Sequence, residues 1–523
     1  MKVLFSCGNA PGLPTGYGGQ GLLALQAFQA AGADVCVLAW NLPPQIFKPF
    51  EIHTTEEVVR KNTHMHRMFE TRAACHVNWA AVTWFANPYP MFPTTLRKAD
   101  INRMITQCKA DFFVSLQDIF MYEPGPFACL SAVWMPLHFV PVEHPTVLAL
   151  ADFDMQLPIS GWGSLLLQPL QNANRHAVRH ISVLPHGRDV SIFHPRHRTE
   201  ERVSETRLRW QWPADAFVVL MIASNSEESG RKAFDAQLQG FTRFVRENPD
   251  KRVWLHIHSE VTRAYDLGRL LETFGEFPDR ARWMDVHDGR VRTHKDALVR
   301  GEHVSVSSSH DLMNVQEEEL VAMYQAADVL LAATCSEGCG VPILEAQLCG
   351  TPVVTTRATA MWEETHFGVS VPPVQWIARM DFNSGWMLPS AEGIARALKD
   401  VSEWSAEVRA SKLARALPVL HREFSNESVI EAWGRVCHIV KAALASNFET
   451  PELQLSTLRR RFLQGAAQAC KRIQLMDEVQ RELDVLTESL KSTWTLKSVG
   501  SELSTLLPQT IAAAPNSAAA PSE

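Results

Sequence analysis

"ADVLLAATCSEGCGVPILEAQLCGTPVVTT", residues 327–356, carries the pattern that decides the fold. An apolar run (Val329–Ala333) stops at a glycine-bearing turn, Pro342 opens a helical stretch, Gly350 closes it, and a second apolar run (Val353–Thr355) follows. Short unbroken apolar runs separated by a helix read as strands buried on both faces, the mark of a parallel sheet under helices. Pro at the helix start and Gly at its end obey the usual asymmetry. Ligands of such sheets gather at the carboxyl edge of the strands, where this turn lies. Two carboxylates flank it, Glu337 in the turn and Glu345 in the helix, with seven residues between them. Carboxylates there accept hydrogen bonds from sugar or ribose hydroxyls, while the amides of Cys339, Gly340 and Val341 can meet a phosphate or sugar oxygen.

The same alternation runs outward in both directions. Upstream in this half it gives Phe217–Ala223, a helix Phe234–Glu247, Val253–His258, Val304–Val306 and a helix Glu318–Ala326. In the front half the expected strands are Val3–Ser6, Val35–Ala39, Phe112–Leu116, Val133–Leu137, Leu157–Ser160 and Ile181–Leu184, with a helix at Gln20–Ala31. A polar, Arg- and His-rich passage from His186 to Pro213 interrupts the pattern and reads as a linker. The expectation is two doubly wound domains in tandem. A further helix is expected over Phe424–Ala445.

At 523 residues the chain is too long for one core. With 46% hydrophobic and 20% charged residues it has the composition of an ordinary globular protein. A net charge of −7 provides no global basic field to recruit nucleic acid. The ten cysteines form no C-x-x-C and have no zinc-like partners, so they read as reduced thiols. The first apolar run ends at Gly8 and Pro11, too short for a signal peptide, and no stretch approaches a spanning helix. The expected location is cytoplasmic, with peripheral membrane contact left open.

"TGYGGQG" (Thr15–Gly21) holds a literal G-x-G-x-x-G, which raises a dinucleotide-binding redox enzyme. The spacing argues against it. Nine residues, Cys7–Thr15, separate the first strand from Gly16, and strand two has no acid at its carboxyl tip for a ribose. What remains is a glycine loop at a helix start, able to lie close against a phosphate or a sugar.

The block "EGCGVPILEAQLCGTPVV", preceded by "LVAMYQAADVLLAATCS" (Leu320–Ser336), resembles the E-x7-E signature of the retaining GT-B glycosyltransferases of glycosyltransferase family 4, the glycosyl transferases group 1. "PTGYGGQ" is similar to the family's N-terminal loop, "LPHGRDVSIFHP" (Leu184–Pro195) to its interdomain stretch, and "FSNESVIEAWGRV" to its returning C-terminal helix. The resemblance covers about residues 1–446. It implies two Rossmann-like domains facing a cleft: an acceptor-side domain over 1–190 with a return helix at 424–446, and a nucleotide-sugar domain over 191–423.

For site residues the resemblance implies that Glu345 holds the donor ribose, that Glu337 with Gly338, Cys339, Gly340 and Val341 holds the sugar, and that an Arg and a Lys hold the diphosphate. Lys232 matches the family Lys. The place of the family Arg holds Ser226 or Glu227, so the neighbouring Arg231 is the substitute. Gly18 and Gly19 belong to the N-terminal loop of this site. His138, at the tip of "AVWMPLHF", matches a family His near the transferred sugar, with Glu143, His144 and Asp118 as weaker candidates. Such enzymes generally use no metal, although "DFD" (Asp152–Asp154) has the form of a D-x-D motif.

The implied partners are a nucleotide-sugar donor and a sugar, lipid or protein acceptor, with no cofactor. Two other classes stay open, a sugar-nucleotide epimerase on the same scaffold and a non-catalytic nucleotide-sugar-binding or scaffold protein. Beyond the family core, Met476, Val479, Leu483, Leu486 and Leu490 make a short heptad stripe. A helical extension is therefore expected over 447–507, where it could support a homo-oligomer. The Ala-, Pro- and Ser-rich 508–523 is expected to be disordered.

Overall fold

The computed structural model describes residues 1–445 except 14, 40–41, 43–45, 62–75, 88–95, 140–145, 147–148, 174–181, 226–229, 262, 275–297, 301–302, 309–316 and 380–383. The extension and tail expected over 447–523 lie outside the described residues, as do Glu143, His144, Ser226 and Glu227.

The first sheet contains β1 (Lys2–Cys7), β2 (Asp34–Ala39), β3 (Ile52–Thr54), β4 (Val82–Ala86), β5 (Phe112–Leu116), β6 (Leu130–Met135) and β7 (Met155–Pro158), in the order β3-β4-β2-β1-β5-β6-β7. The second contains β8 (Phe217–Ile222), β9 (Val253–Ser259), β10 (Leu298–Arg300), β11 (Val304–Ser308), β12 (Val329–Ala332), β13 (Val353–Thr356) and β14 (Gly368–Val371), in the order β10-β11-β9-β8-β12-β13-β14. Only β3 and β10 pair antiparallel to their neighbours, and both are edge strands. Without them each sheet has the order 3-2-1-4-5-6 of a doubly wound nucleotide-binding fold. Its switch point lies between β1 and β5 in one sheet and between β8 and β12 in the other. A separate hairpin, β15 (Pro373–Arg379) with β16 (Ser384–Pro389), follows the second sheet.

The helices that shape the site are α1 (Gly16–Ala30), α2 (Gly161–Ala173), α3 (Glu200–Arg209), α4 (Phe234–Glu247), α5 (Glu317–Ala326), α6 (Val341–Leu348), α7 (Ala360–Glu364), α8 (Ala406–Phe424) and α9 (Asn426–Leu444). No described helix is long and apolar enough to cross a membrane.

Three expectations need correction. Ile181–Leu184 is not a strand: its described residues run as coil, with the Ser182 and Leu184 amides donating to carbonyls at the β7 edge. The polar passage 186–213 is not a loose linker, because it forms α3 and buries Trp210 and Trp212. The expected end at Phe424 also moves by two residues: Phe424 closes α8, and the helix expected over 424–445 is α9, capped by Ser425, whose hydroxyl accepts from the Ser428 amide.

Helix α9 belongs to the first core. Trp433 packs edge-on against Phe28 (5.1 Å) and Trp134 (5.4 Å), and Phe28 against Phe5 (5.6 Å). The chain thus passes between the two cores twice, at Arg188 and at Ser425. The two passages are hydrogen-bonded side by side: the Arg188 amide donates to the Phe424 carbonyl and the Asn426 amide to the Arg188 carbonyl.

Candidate active site

At the first switch point, α1 begins four residues earlier than expected, so Gly16, Gly18 and Gly19 form its first turn rather than a loop before it. The amides of Gly18 and Gly19 are already used. Gly18 donates to Thr15 Oγ1 at 3.0 Å and Gly19 to the Thr15 carbonyl at 3.0 Å. Neither amide is free for a phosphate, so what this turn offers a ligand is close approach to backbone without side chains. Gly18 is glycine because a Cβ would lie 2.3 Å from the Leu13 carbonyl oxygen. Between this turn and the end of β5, the Tyr17 hydroxyl bonds Asp118, and burial, then the Asp118 charge, holds the phenol well above its ordinary pKa. The Arg231 charge acts on the same phenol from the second domain.

At the second switch point the turn after β12 meets the segment after β8. Glu337 is buried and accepts from Arg231 Nη1 (2.8 Å), Lys232 Nζ (2.7 Å) and Thr334 Oγ1 (3.1 Å). Burial alone would raise its carboxyl; the two cations more than offset this and bring it to about 2. Arg231 also donates to the Ser336 carbonyl at 2.7 Å, which ties the two segments together. Lys232, Glu337 and Gly340 line a cavity of about 240 Å³, together with Ile222, His258 and Glu260. The cluster carries two positive charges and one negative, at the strand edge where doubly wound sheets generally bind ligands.

The Gly340 amide is not available to a ligand. It donates to Glu364 Oε2 at 2.9 Å, which corrects part of the expected amide cradle. Burial holds the Glu364 carboxyl well above its ordinary pKa. Gly338 lies against the opposite domain: a Cβ there would sit 2.5 Å from Pro136 Cβ. Beside it, the Ser336 hydroxyl donates to the His138 carbonyl. His138 therefore stands in the cleft just past β6, its ring 4.0 Å from that of Phe139. Cys339 is partly buried, with its thiol bonded to Glu364, and Val341 is the first residue of α6.

Glu345 is more enclosed than a cleft-edge residue. Tyr324 donates to its Oε2 at 2.8 Å, and Arg188 Nε forms an ion pair with Oε1 at 2.8 Å. Burial raises its carboxyl, and Arg188 and Tyr324 oppose the rise. A carboxylate has about four acceptor sites, so ribose hydroxyls can still add to it. Sequence reasoning passed over Arg188 and Tyr324, because only folding brings the interdomain passage and α5 to α6. It also passed over Glu363, whose oxygens accept from the Trp162 amide at 3.2 and 3.3 Å and thereby cap α2 of the opposite domain.

The D-x-D pair is structural. Asp154 Oδ2 accepts from the amide and hydroxyl of Ser131 (3.0 and 3.1 Å), while Asp152 accepts from the Gly125 amide and lies 3.8 Å from Lys98 Nζ. Among the described residues no group of His, Cys, Asp and Glu is arranged to hold a metal ion.

Residues 288–400, which contain this turn, match the family model "Glycosyl transferases group 1". Over that segment the chain is similar to the glycosyl transferases group 1. Over 40 residues it is 55% identical to the D-inositol 3-phosphate glycosyltransferase of Corynebacterium jeikeium (strain K411), a match covering 8% of this chain and 10% of that protein. The whole structure is similar to sucrose-phosphate synthase from Thermosynechococcus elongatus (TM-score 0.55, 13% identity, 85% of this chain and 100% of that one). It is also similar to the UDP-forming alpha,alpha-trehalose-phosphate synthase from Burkholderia vietnamiensis (0.56, 12%, 85% and 98%). A third neighbour is the E. coli trehalose-6-phosphate protein bound with UDP-2-fluoro glucose (0.54, 12%, 84% and 98%). At these identities the likeness establishes the fold, which is GT-B, two doubly wound domains across a cleft. Gly338 and Ser336, inside the matched segment, meet Pro136 and the His138 carbonyl just past β6.

Proposed function

We propose that this protein is a glycosyltransferase that moves a sugar from a nucleotide-sugar donor to an acceptor with retention of configuration. The observation that carries the reading is the Arg231–Lys232–Glu337 cluster, set at the switch-point edge of the second sheet. A departing nucleoside diphosphate is an anion, and preorganised cations at that edge stabilise it as charge develops. The fold neighbour bound with UDP-2-fluoro glucose is in keeping with such a donor.

In this reading Lys232 and Arg231 take the diphosphate, and Glu337 shares its lone pairs between them and the donor sugar. Glu345 takes the ribose, and His138 presents its ring to the reacting sugar from the opposite wall. The acceptor enters from the first domain, past α1, Tyr17 and Asp118. The departing phosphate accepts the acceptor's proton on the same face, so no side-chain base is assigned. The donor-side unit is the segment between the two passages at Arg188 and Ser425, and the acceptor-side unit is the remainder of the described chain. No metal is assigned, because the two cations do the neutralising.

The test is to incubate the full chain with UDP-, GDP- and ADP-sugars, with and without sugar acceptors, and follow nucleoside diphosphate release and product anomeric configuration by NMR. Acceptor-dependent release with retained configuration supports the reading. Release of an epimerised sugar nucleotide without acceptor identifies an epimerase, and tight binding without turnover identifies a non-catalytic binder; either result overturns it.

A further inference from the structure

Three buried glutamines of the fold use both ends of their amides. Gln20 donates to the Gly187 carbonyl and accepts from the Gly187 amide, both at 2.8 Å. Gln237 donates to the Lys232 carbonyl (2.7 Å) and accepts from the Ala333 amide (3.0 Å). Gln347 donates to the Ile343 and Glu364 carbonyls and accepts from the amides of His366 and Phe367. Gln117 is buried like these, at 2% exposure, yet neither its Oε1 nor its Nε2 has a hydrogen-bond partner among the described residues. A buried amide with both ends unmade weakens a fold, and proteins keep such groups chiefly where a ligand, ion or water completes them.

Its position selects the partner. Gln117 follows the last residue of β5, and Gly8 follows the last residue of β1. These neighbouring strands flank the switch point of the first sheet, the crevice where open sheets of this kind take ligands. The Gly8 amide donates to the Leu116 carbonyl at 3.1 Å, which carries the β1–β5 ladder to the mouth of that crevice. A Cβ on Gly8 would lie 3.6 Å from Gln117 Cβ and 3.0 Å from the Tyr17 ring, so the glycine gap borders both side chains. Tyr17 bonds Asp118, and the Arg231 charge acts on the same phenol from the second domain.

Resting on the glycosyltransferase reading above, we propose that Gln117 binds the acceptor, which presents two adjacent hydroxyls of a sugar or other polyol. An amide offers a carbonyl and an NH₂ side by side, and a vicinal pair of hydroxyls, each able to donate and accept, completes both. A phosphate dianion only accepts, so it would leave Oε1 unmade and would stand beside the Asp118 carboxylate. A lone serine or lipid hydroxyl reaches one end and leaves the other. The domains meet at Gly338 and Pro136, so the acceptor enters while they stand apart and is enclosed as they meet.

The experiment follows nucleoside diphosphate release from UDP-, GDP- and ADP-sugars by the full chain. The acceptors are glucose, mannose and galactose, their 6-phosphates, their monodeoxy analogues and a serine peptide. It compares the parent with Gln117→Met, which keeps the side chain's length and removes its polar atoms, beside urea melts and nucleoside diphosphate titration. The parent should use one of the sugars, and removing either of one adjacent pair of hydroxyls should lower kcat/KM about tenfold, as for one neutral hydrogen bond. Gln117→Met should lower kcat/KM for the intact sugar about a hundredfold, and the same deoxy sugars should then cost nothing further. Nucleotide binding should not change. The urea midpoint should hold or rise, because the variant discards a group that the protein alone leaves unpaired. A clearly lower midpoint would show that the amide has a structural partner and would overturn the assignment. An unchanged kcat/KM would do the same, as would a parent that binds nucleotide yet transfers only to the peptide or to none of these acceptors. Those results leave nucleotide-sugar binding intact. A parent that neither binds nor turns over any nucleotide sugar overturns the glycosyltransferase reading and this assignment with it.

Discussion

Replacing Glu337 with Gln should move stability and anion binding in opposite directions. The carboxylate is buried against Arg231 and Lys232, and its pKa lies at about 2 against an ordinary 4.5. That difference corresponds to about 3 kcal/mol favouring the ionised folded state. The pKa is depressed, so the contribution is complete above about pH 4.5 and is lost as pH falls through about 2. Glu337→Gln should therefore lower unfolding free energy by about 3 kcal/mol at pH 7. The loss should shrink steadily below pH 4.5. The same change raises the cluster from one net positive charge to two. A negative charge about 5 Å from a bound phosphate opposes it by on the order of 3 kcal/mol at an effective dielectric of about 20. The variant should consequently bind inorganic pyrophosphate more tightly, while sugar transfer falls because the sugar loses its acceptor. Urea unfolding between pH 3 and pH 7, beside pyrophosphate titration at pH 7, measures both. A variant as stable as the parent at pH 7, or one with weakened pyrophosphate binding, would refute the electrostatic reasoning.

Four further outcomes follow from the same geometry. Burial raises the Glu363 carboxyl to about 7, which penalises its charged form progressively between pH 4.5 and 7. Glu363→Gln should thus match the parent near pH 4.5 and exceed it by about 1–3 kcal/mol at pH 8, read by urea melts. Gly338→Ala puts a methyl 2.5 Å from Pro136 and should prise the domains apart, seen as a larger radius of gyration in X-ray scattering, with transfer reduced at least tenfold. Glu345→Ala should cost both nucleotide affinity and stability, each by about 1–3 kcal/mol, because it strands Arg188 and Tyr324; unchanged urea midpoint would show that the pairing contributes nothing. Chelation with EDTA should leave transfer largely intact, and full loss restored by Mn²⁺ or Mg²⁺ would reopen metal chemistry.

Where local physics is decisive, the sequence was readable. In 327–356 every boundary is set by a strong signal, and the observed strands and helix fall within a residue of expectation. The helix Phe234–Glu247 came out with both ends in place. β4 ("VTWFA") was missed because Thr83 interrupts its short apolar run. The glycine turn was misplaced because glycine is a poor helix former, and here the Thr15 cap overrides that preference. The charge pairs at Glu337 were anticipated as neighbours but not as partners. The Arg188–Glu345 pair and the Glu363 cap on α2 join segments distant in sequence, and nothing in the local pattern of either partner announces them.

The double passage at Arg188 and Ser425 also fixes an order of events during synthesis. Residues 1–187 leave the ribosome first, yet their core is incomplete without Trp433 to fill the space between Phe28 and Trp134. Everything that builds the second sheet, from Phe217 to Val371, emerges before that tryptophan does. At about 5–20 residues per second, the first half waits on the order of tens of seconds for its last core residue. The donor-side unit can therefore mature as an insert within an unfinished host. The acceptor-side core is thus the last to be completed, when Trp433 of α9 docks between Phe28 and Trp134.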